Sequence, residues 1–273
     1  AYVAACLAEL RALKPGNVHA FADGHRMTVA DFEASARASA PAIADPALPV
    51  GRRIRVAVER TRAAVGTNTN LGIVLLCAPL AAAAQRPAPL RAAVEAALAA
   101  LDVADAEEAF AAIRLAAPAG LGDSPTHDVR RPARGTLLEA MRAARDRDRI
   151  AAQYADGFRD VFEFGVPRLR QGLARWNDPA WAASAAYLGF LARFPDSHVA
   201  RKHGVARAEA VRRAAAPLEA ALMAQADPAL MRARLLRFDA TLKSKGVNPG
   251  TSADLTVASL FALALEGAPH RDG

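Results

Sequence analysis

The chain has 273 residues, 53% of them hydrophobic and only 5% aromatic, which leaves room for one large domain or two ordinary ones. Most of the apolar content is alanine, which favours close-packed helices and speaks against a strand-rich fold. The net charge of +7 admits a nucleic-acid binder, a protein acting on anionic small molecules, or a bland arginine-rich surface. The arginines are interleaved with acids, as in Arg142 to Arg149, and this reads as a solvated helix face with local ion pairs. No zinc-finger spacing or aromatic-basic signature is present, so a nucleic-acid partner is set aside.

Tyr2 to Leu13 is predicted helical and ends at Pro15-Gly16; its apolar opening lacks the basic region of a signal peptide. Asp23 to Thr28 reads as a polar loop, and Thr28 caps a helix over Val29 to Ala40 with Asp31 and Glu33 in its first turn. Gly51 to Val65 is an arginine-laced helix. Leu71 to Ala84 is apolar all round and should be buried on every side. Helices over Leu90 to Leu101 and Asp105 to Leu115 precede a long loop from Pro118 to Arg134. Gly135 to Arg147, Ile150 to Phe164, Pro167 to Trp176 and Pro179 to Phe194 follow as helices. The last third reads as helices over His198 to Ala215, Pro217 to Gln225, Pro228 to Lys243 and the apolar Thr251 to Leu265, with Gly267 to Gly273 frayed.

No alternating strand run, fixed-period repeat or long linker interrupts this pattern. The expectation is a single compact all-α domain of roughly a dozen helices over residues 1–273. Cys6 and Cys77 lie in apolar helices and read as core residues of a protein in a reducing compartment. The alanine run at 81–84 stops far short of a membrane span, so a cytoplasmic protein without a membrane partner is expected.

Four polar segments stand out from the alanine and arginine background. They are Lys14 to His19, Thr67 to Gly72, Asp196 to Gly204, and Asn248 to Asp254. The four lysines, Lys14, Lys202, Lys243 and Lys245, lie in or beside them, although the chain elsewhere uses arginine. Thr67, Asn68 and Asn70 introduce the first apolar helix, where they can cap it or hold a phosphate or ribose. Asn248, Gly250, Thr251 and Ser252 introduce the second; Thr251 or Ser252 can cap it, and Asp254 is expected in its first turn as a dipole partner or Mg²⁺ ligand. Asp196 or Ser197 capping a helix puts Ser197 with Arg201 and His198 with Lys202, a cluster that suits a triphosphate or is an ordinary basic face. His203 belongs to the same cluster. In the long loop, Asp123 or Asp128 can bind metal and His127 can move a proton, or the segment is a solvated turn. Lys14, Asn17 and His19 are the informative members of the first segment, and Asp239 with Lys243 reads as a plain ion pair.

Taken in order, Leu13 to Val18, Thr67 to Gly72 and Asn248 to Leu255 resemble the triphosphoribosyl-dephospho-CoA synthase family over nearly the whole chain. That resemblance implies an all-helical transferase that moves the triphosphoribosyl group of ATP to a ribose hydroxyl of 3′-dephospho-CoA and releases adenine. For such a reaction Lys14, Arg201 and Lys202 fit phosphate-holding roles by residue type, His198 or His127 can serve as acid or base, and Asp254 and Asp128 are the candidate Mg²⁺ ligands. The citrate lyase branch carries a Gly-Ala-Asn-Thr-His-Lys-Gly run where this chain has Gly66-Thr67-Asn68-Thr69-Asn70-Leu71-Gly72, so its His and Lys are missing. The chain is more similar to relatives associated with tetrahydromethanopterin synthesis, which suggests phosphoribosyl transfer to a pterin-linked ribitol as an alternative. A non-catalytic nucleotide-binding protein of a cofactor pathway is a third reading.

Overall fold

The structure is a computed structural model and describes residues 1–118, 120, 124 and 126–267. The expectations for Asp123 and for a frayed 268–273 tail fall outside the described residues. Fourteen α-helices are present among the described residues, joined by short turns, with two isolated bridges (His19 to Ala22 and Gly24 to Met27) and no strand. The all-α expectation is met.

Helix α1 (Tyr2–Arg11) is followed by α2 (Val29–Ala44), which opens with a reciprocal capping box between Thr28 and Asp31. The second helix runs a turn past its predicted end, carrying Pro41 inside it. The buried guanidinium of Arg53 in α3 (Val50–Val65) bonds to the carbonyls of Ile43 (2.9 Å) and Leu48 (2.8 Å) and to Gln85 Oε1 (2.7 Å). One side chain thereby satisfies carbonyls at the end of α2 and ties them to the end of the next helix. That helix, α4 (Leu71–Ala83), is buried along nearly its whole length, as its composition predicts. Helices α5 (Leu90–Ala99) and α6 (Val103–Ala116) pack outside it, the latter capped by Asp102.

After the long loop come α7 (Leu137–Ala144) and α8 (Arg149–Ala155). The predicted helix to Phe164 breaks at Gly157 and Phe158, which both take left-handed backbone (φ +62° and +57°). A π turn at Val161–Gly165 then runs directly into α9 (Val166–Trp176), since Pro167 sits at a helix start where its missing N–H costs nothing. Helix α10 (Pro179–Arg193) is buried from Trp181 to Leu191. The predicted helix from His198 divides at Gly204 (φ +87°) into α11 (Ser197–His203) and α12 (Val205–Ala224). Pro217 lies inside α12 and does not separate two helices. A 3₁₀ turn at Pro228–Met231 leads to α13 (Arg232–Ser244), and α14 (Gly250–Glu266) closes the described fold.

Helix α14 packs against α1, α4 and α10, so the two apolar helices sit together in the centre with α10 as a third central rod. Cys6 and Cys77 are both buried and unpaired; burial pushes the Cys6 thiol up to about 12 and the Cys77 thiol well above its ordinary value. No helix among the described residues is long and apolar enough to cross a membrane.

Candidate active site

The central packing brings the starts of α4, α11 and α14 to one cavity of about 1060 Å³. Side chains from three of the four polar segments and the long loop face it: Thr67 and Asn68 before α4, His198 and Arg201 on α11, Asn248, Gly250, Thr251 and Asp254 around the start of α14, and His127. Asn17 reaches it from the fourth segment, donating to Asn248 Oδ1 at 2.8 Å. Behind Asn17, Lys14 is fully buried and paired with Glu9, whose carboxyl also faces the cavity. Burial raises the Glu9 pKa and lowers that of Lys14, outweighing their mutual attraction.

The remaining expected residues lie off the cavity wall. Asn70 is buried and donates to Ser39 Oγ (3.3 Å), and Ser252 is buried against Asp196. Lys202 and His203 are exposed on the outer side of α11. Asp128 is taken up by Arg130, which holds its carboxyl down at about 2. His19 is buried with Nε2 3.4 Å from Asp239.

The local bonding differs from simple capping. At α4 the side chain that accepts a helix N–H is Asn68, from Leu71 (3.1 Å), and neither Thr69 nor Asn70 does so. At α14 neither Thr251 nor Ser252 is the cap, and Asp254 lies beyond the first turn. Thr251 Oγ1 accepts the N–H of His198 (3.1 Å), while Ser252 donates through both N–H and Oγ to Asp196 Oδ2 (2.8 Å each). Asp196 Oδ1 accepts the Val199 N–H (3.1 Å). One fully buried carboxylate therefore fastens the starts of α11 and α14 together. Burial raises its pKa, and these donors pull the other way.

The clamp fixes His198. Its Nδ1 would lie 2.3 Å from a Cβ at position 250, so the ring rests where only glycine leaves space. Burial, then Arg201 and Lys202, lower the His198 pKa to about 4, leaving a neutral imidazole at pH 7. Asp254 is arranged similarly: a Cβ at Gly72 would meet its Oδ2 at 2.0 Å. No hydrogen bond or ion pair joins Asp254 to another described residue. Burial first, then Asp196, Glu9 and Asp148, raise its pKa well above the usual range.

One wall was not legible as part of a site. Arg145 to Arg149 form the turn between α7 and α8 and line the cavity, where the sequence pattern suggests a solvated helix face. The turn is docked by Ser197 Oγ accepting the Arg149 N–H (2.8 Å) and by Arg201 donating to Asp148 (3.1 Å). Arg149 is held flat by a bidentate bond to Asp160 and by the Phe194 ring. An apolar wall from Leu71, Phe110, Ile113, Leu137 and Met141 stands in the same cavity.

The profile of the CitG family, ATP:dephospho-CoA triphosphoribosyl transferase, matches residues 1–272. The chain belongs to this family. A triphosphoribosyl transferase of this family acts on ATP and dephospho-CoA, and the polar groups around the cavity are of the kinds that phosphate and sugar recognition requires. Among solved structures, one from Archaeoglobus fulgidus, carrying the triphosphoribosyl-dephospho-CoA synthase name, is similar with a TM-score of 0.67 and 27% identity, covering 86% of this chain and 98% of its own. No curated protein matches the chain.

Proposed function

We propose that this triphosphoribosyl transferase holds the ATP sugar in the α4–α11–α14 cavity and passes it to a ribose hydroxyl of dephospho-CoA, with adenine leaving. The observation that carries the reading is the meeting of distant polar segments at a single cavity in a chain of this family. His198 is neutral and wedged against Gly250, so it can accept the proton of the incoming hydroxyl. His127 faces the cavity with Nδ1 unpartnered and is our candidate to protonate the departing adenine. Arg147, Arg149 and Arg201 supply positive charge for the triphosphate.

The described residues hold no cluster of three metal-ligating side chains. Mg²⁺ with nucleotides, however, uses one or two carboxylates and phosphate oxygens. Asp254, buried beside other carboxylates and without a bonded partner, fits that need, with Asp148 nearby. Bound there, Mg²⁺ would neutralise triphosphate charge. We take the enzyme to work in the cytoplasm, where its nucleotide substrates are made.

A second reading is phosphoribosyl transfer to a pterin-linked ribitol. It is favoured by Leu71, which puts an apolar side chain on the cavity wall where the citrate lyase branch motif has a cation. Adenine release from ATP with dephospho-CoA, measured by chromatography, supports the first reading. Pyrophosphate release from phosphoribosyl pyrophosphate supports the second. Neither product leaves a nucleotide-binding protein without catalysis. Gly250→Ala should cut turnover at least about tenfold by displacing His198; full activity would remove His198 from the mechanism.

A further inference from the structure

His19, His25, His198 and His203 gather in one region, and of these four His198 faces the cavity. Beyond it lie His25, on the loop after α1, Lys202 and His203 at the end of α11, and Lys243 near the end of α13. Hydrogen bonds hold these elements to one another. His25 Nε2–H donates to Gly16 O (2.8 Å), Lys243 Nζ to Ala22 O (3.0 Å), and His203 Nε2–H to Gly246 O (3.1 Å). Gly16 precedes Asn17, and Gly246 lies two residues before Asn248, the pair that joins inside the cavity. The basic group therefore lies beside residues that line the site, without lining it itself.

Its charge is only partly neutralised. Asp239 pairs with Lys243 (3.1 Å) but is shared with the Gly16 N–H (2.8 Å) and His19, and Asp23 on the same loop accepts the Val29 N–H. Lys202 has no ion pair among the described residues and is exposed, as is His203. The cations are close enough to act on each other: burial first, and then Lys202 and Lys243, lower the His25 pKa. His25 and Arg26 also both take left-handed backbone (φ 57° and 63°), a costly conformation for two successive non-glycine residues and one that clusters at ligand sites. Two lysines and two imidazoles gathered where a strained loop meets the ends of α11 and α13 offer cationic and N–H groups to an anion that binds between them.

The family reaction says which anion. About 1060 Å³ is the scale of one large ligand, since binding pockets run to about 1,000 Å³. The family reaction joins two nucleotides, and the longer of them can reach from the cavity to its mouth. The donor sugar and its base need shelter from water, whereas the acceptor carries a diphosphate leading to a long flexible arm.

We propose that His25, Lys202, His203 and Lys243 form an anion subsite at the mouth that holds the acceptor's diphosphate while its sugar reaches His198. This rests on the transfer reading given above. It separates Lys202 and His203 from donor binding and adds His25 and Lys243 to the recognition surface.

Lys202→Ala and Lys202→Ala/His203→Ala test it, because both side chains are exposed and thermal unfolding can verify that the fold is kept. The expected result is a KM for dephospho-CoA raised about tenfold or more, with kcat and the KM for ATP unchanged, and recovery in Lys202→Arg. A rise in the KM for ATP, or no change in either constant, overturns the proposal. If the wild-type protein transfers nothing from ATP, the functional reading has failed, and the subsite is still tested by inorganic pyrophosphate. The His25 and His203 imidazole NMR signals should then shift with pyrophosphate in the wild type and not in Lys202→Ala. Signals unmoved in the wild type, or moved equally in both, overturn it.

Discussion

Replacing Asp196 by Asn tests the link between the fold and the site. The carboxylate accepts three bonds in a fully buried position: Ser252 N–H and Oγ–H on Oδ2, and Val199 N–H on Oδ1. Asparagine has one acceptor oxygen, so one flipped state turns an amide NH₂ toward Val199 and the other turns it toward Ser252. Either way a buried N–H loses its partner, at about 1–3 kcal/mol. The surviving bonds fall from charge-assisted to neutral, roughly halving their strength. Removing a buried charge gives back part of this, and the net loss should be about 3 kcal/mol. For a chain of this length that is a Tm lowered by about 6–12 °C, or a lower urea midpoint at unchanged slope. Turnover should fall at least about tenfold, because His198 hangs from the same joint through Thr251. A stability loss under about 0.5 kcal/mol would refute the claim that Asp196 fastens the two helix starts. A full loss with unchanged kcat would instead show that His198 does not depend on that joint.

Arg53→Met should destabilise by about 3 kcal/mol in urea unfolding, since it strands two carbonyls and Gln85 in a buried position while leaving the cavity untouched; a loss below about 1 kcal/mol would show that water replaces the guanidinium there. Asp254→Asn should reverse the usual cost of a core mutation. The folded state holds the Asp254 proton more tightly than the unfolded chain, so its contribution to wild-type stability declines as pH rises from the ordinary carboxylate range toward the raised folded pKa. The variant should lose that slope, be more stable than wild type at the upper end of this window, and show no Mg²⁺-dependent rise in Tm with ATP bound. Parallel pH–stability curves for the two proteins would contradict the assignment.

The central helices could be read from composition because Leu71 to Ala83 and Gly250 to Glu266 have no polar face to expose. Their polar introductions marked the cavity for the same reason: little else in the chain carries asparagine. The Arg145–Arg149 wall was hidden because alternating arginine and aspartate looks the same on a solvated face and on a docked turn. Only the contacts with Ser197 and Arg201, about fifty residues away, separate the two. Asp239 and Lys243 are spaced as any i, i+4 pair, and nothing local reveals that the aspartate is buried under the Gly16 N–H. Prolines at 41 and 217 suggested boundaries that tertiary packing overrides, while Phe158 at positive φ gave no signal at all.

The depth of the two cysteines has a practical use. Neither sulfur is exposed, and both are held far from the thiolate form, so the native chain offers almost nothing to an alkylating dye. A cysteine introduced at position 202 would be the single reactive handle on the folded molecule, placing a fluorescent reporter beside the cavity without first stripping out the natural ones.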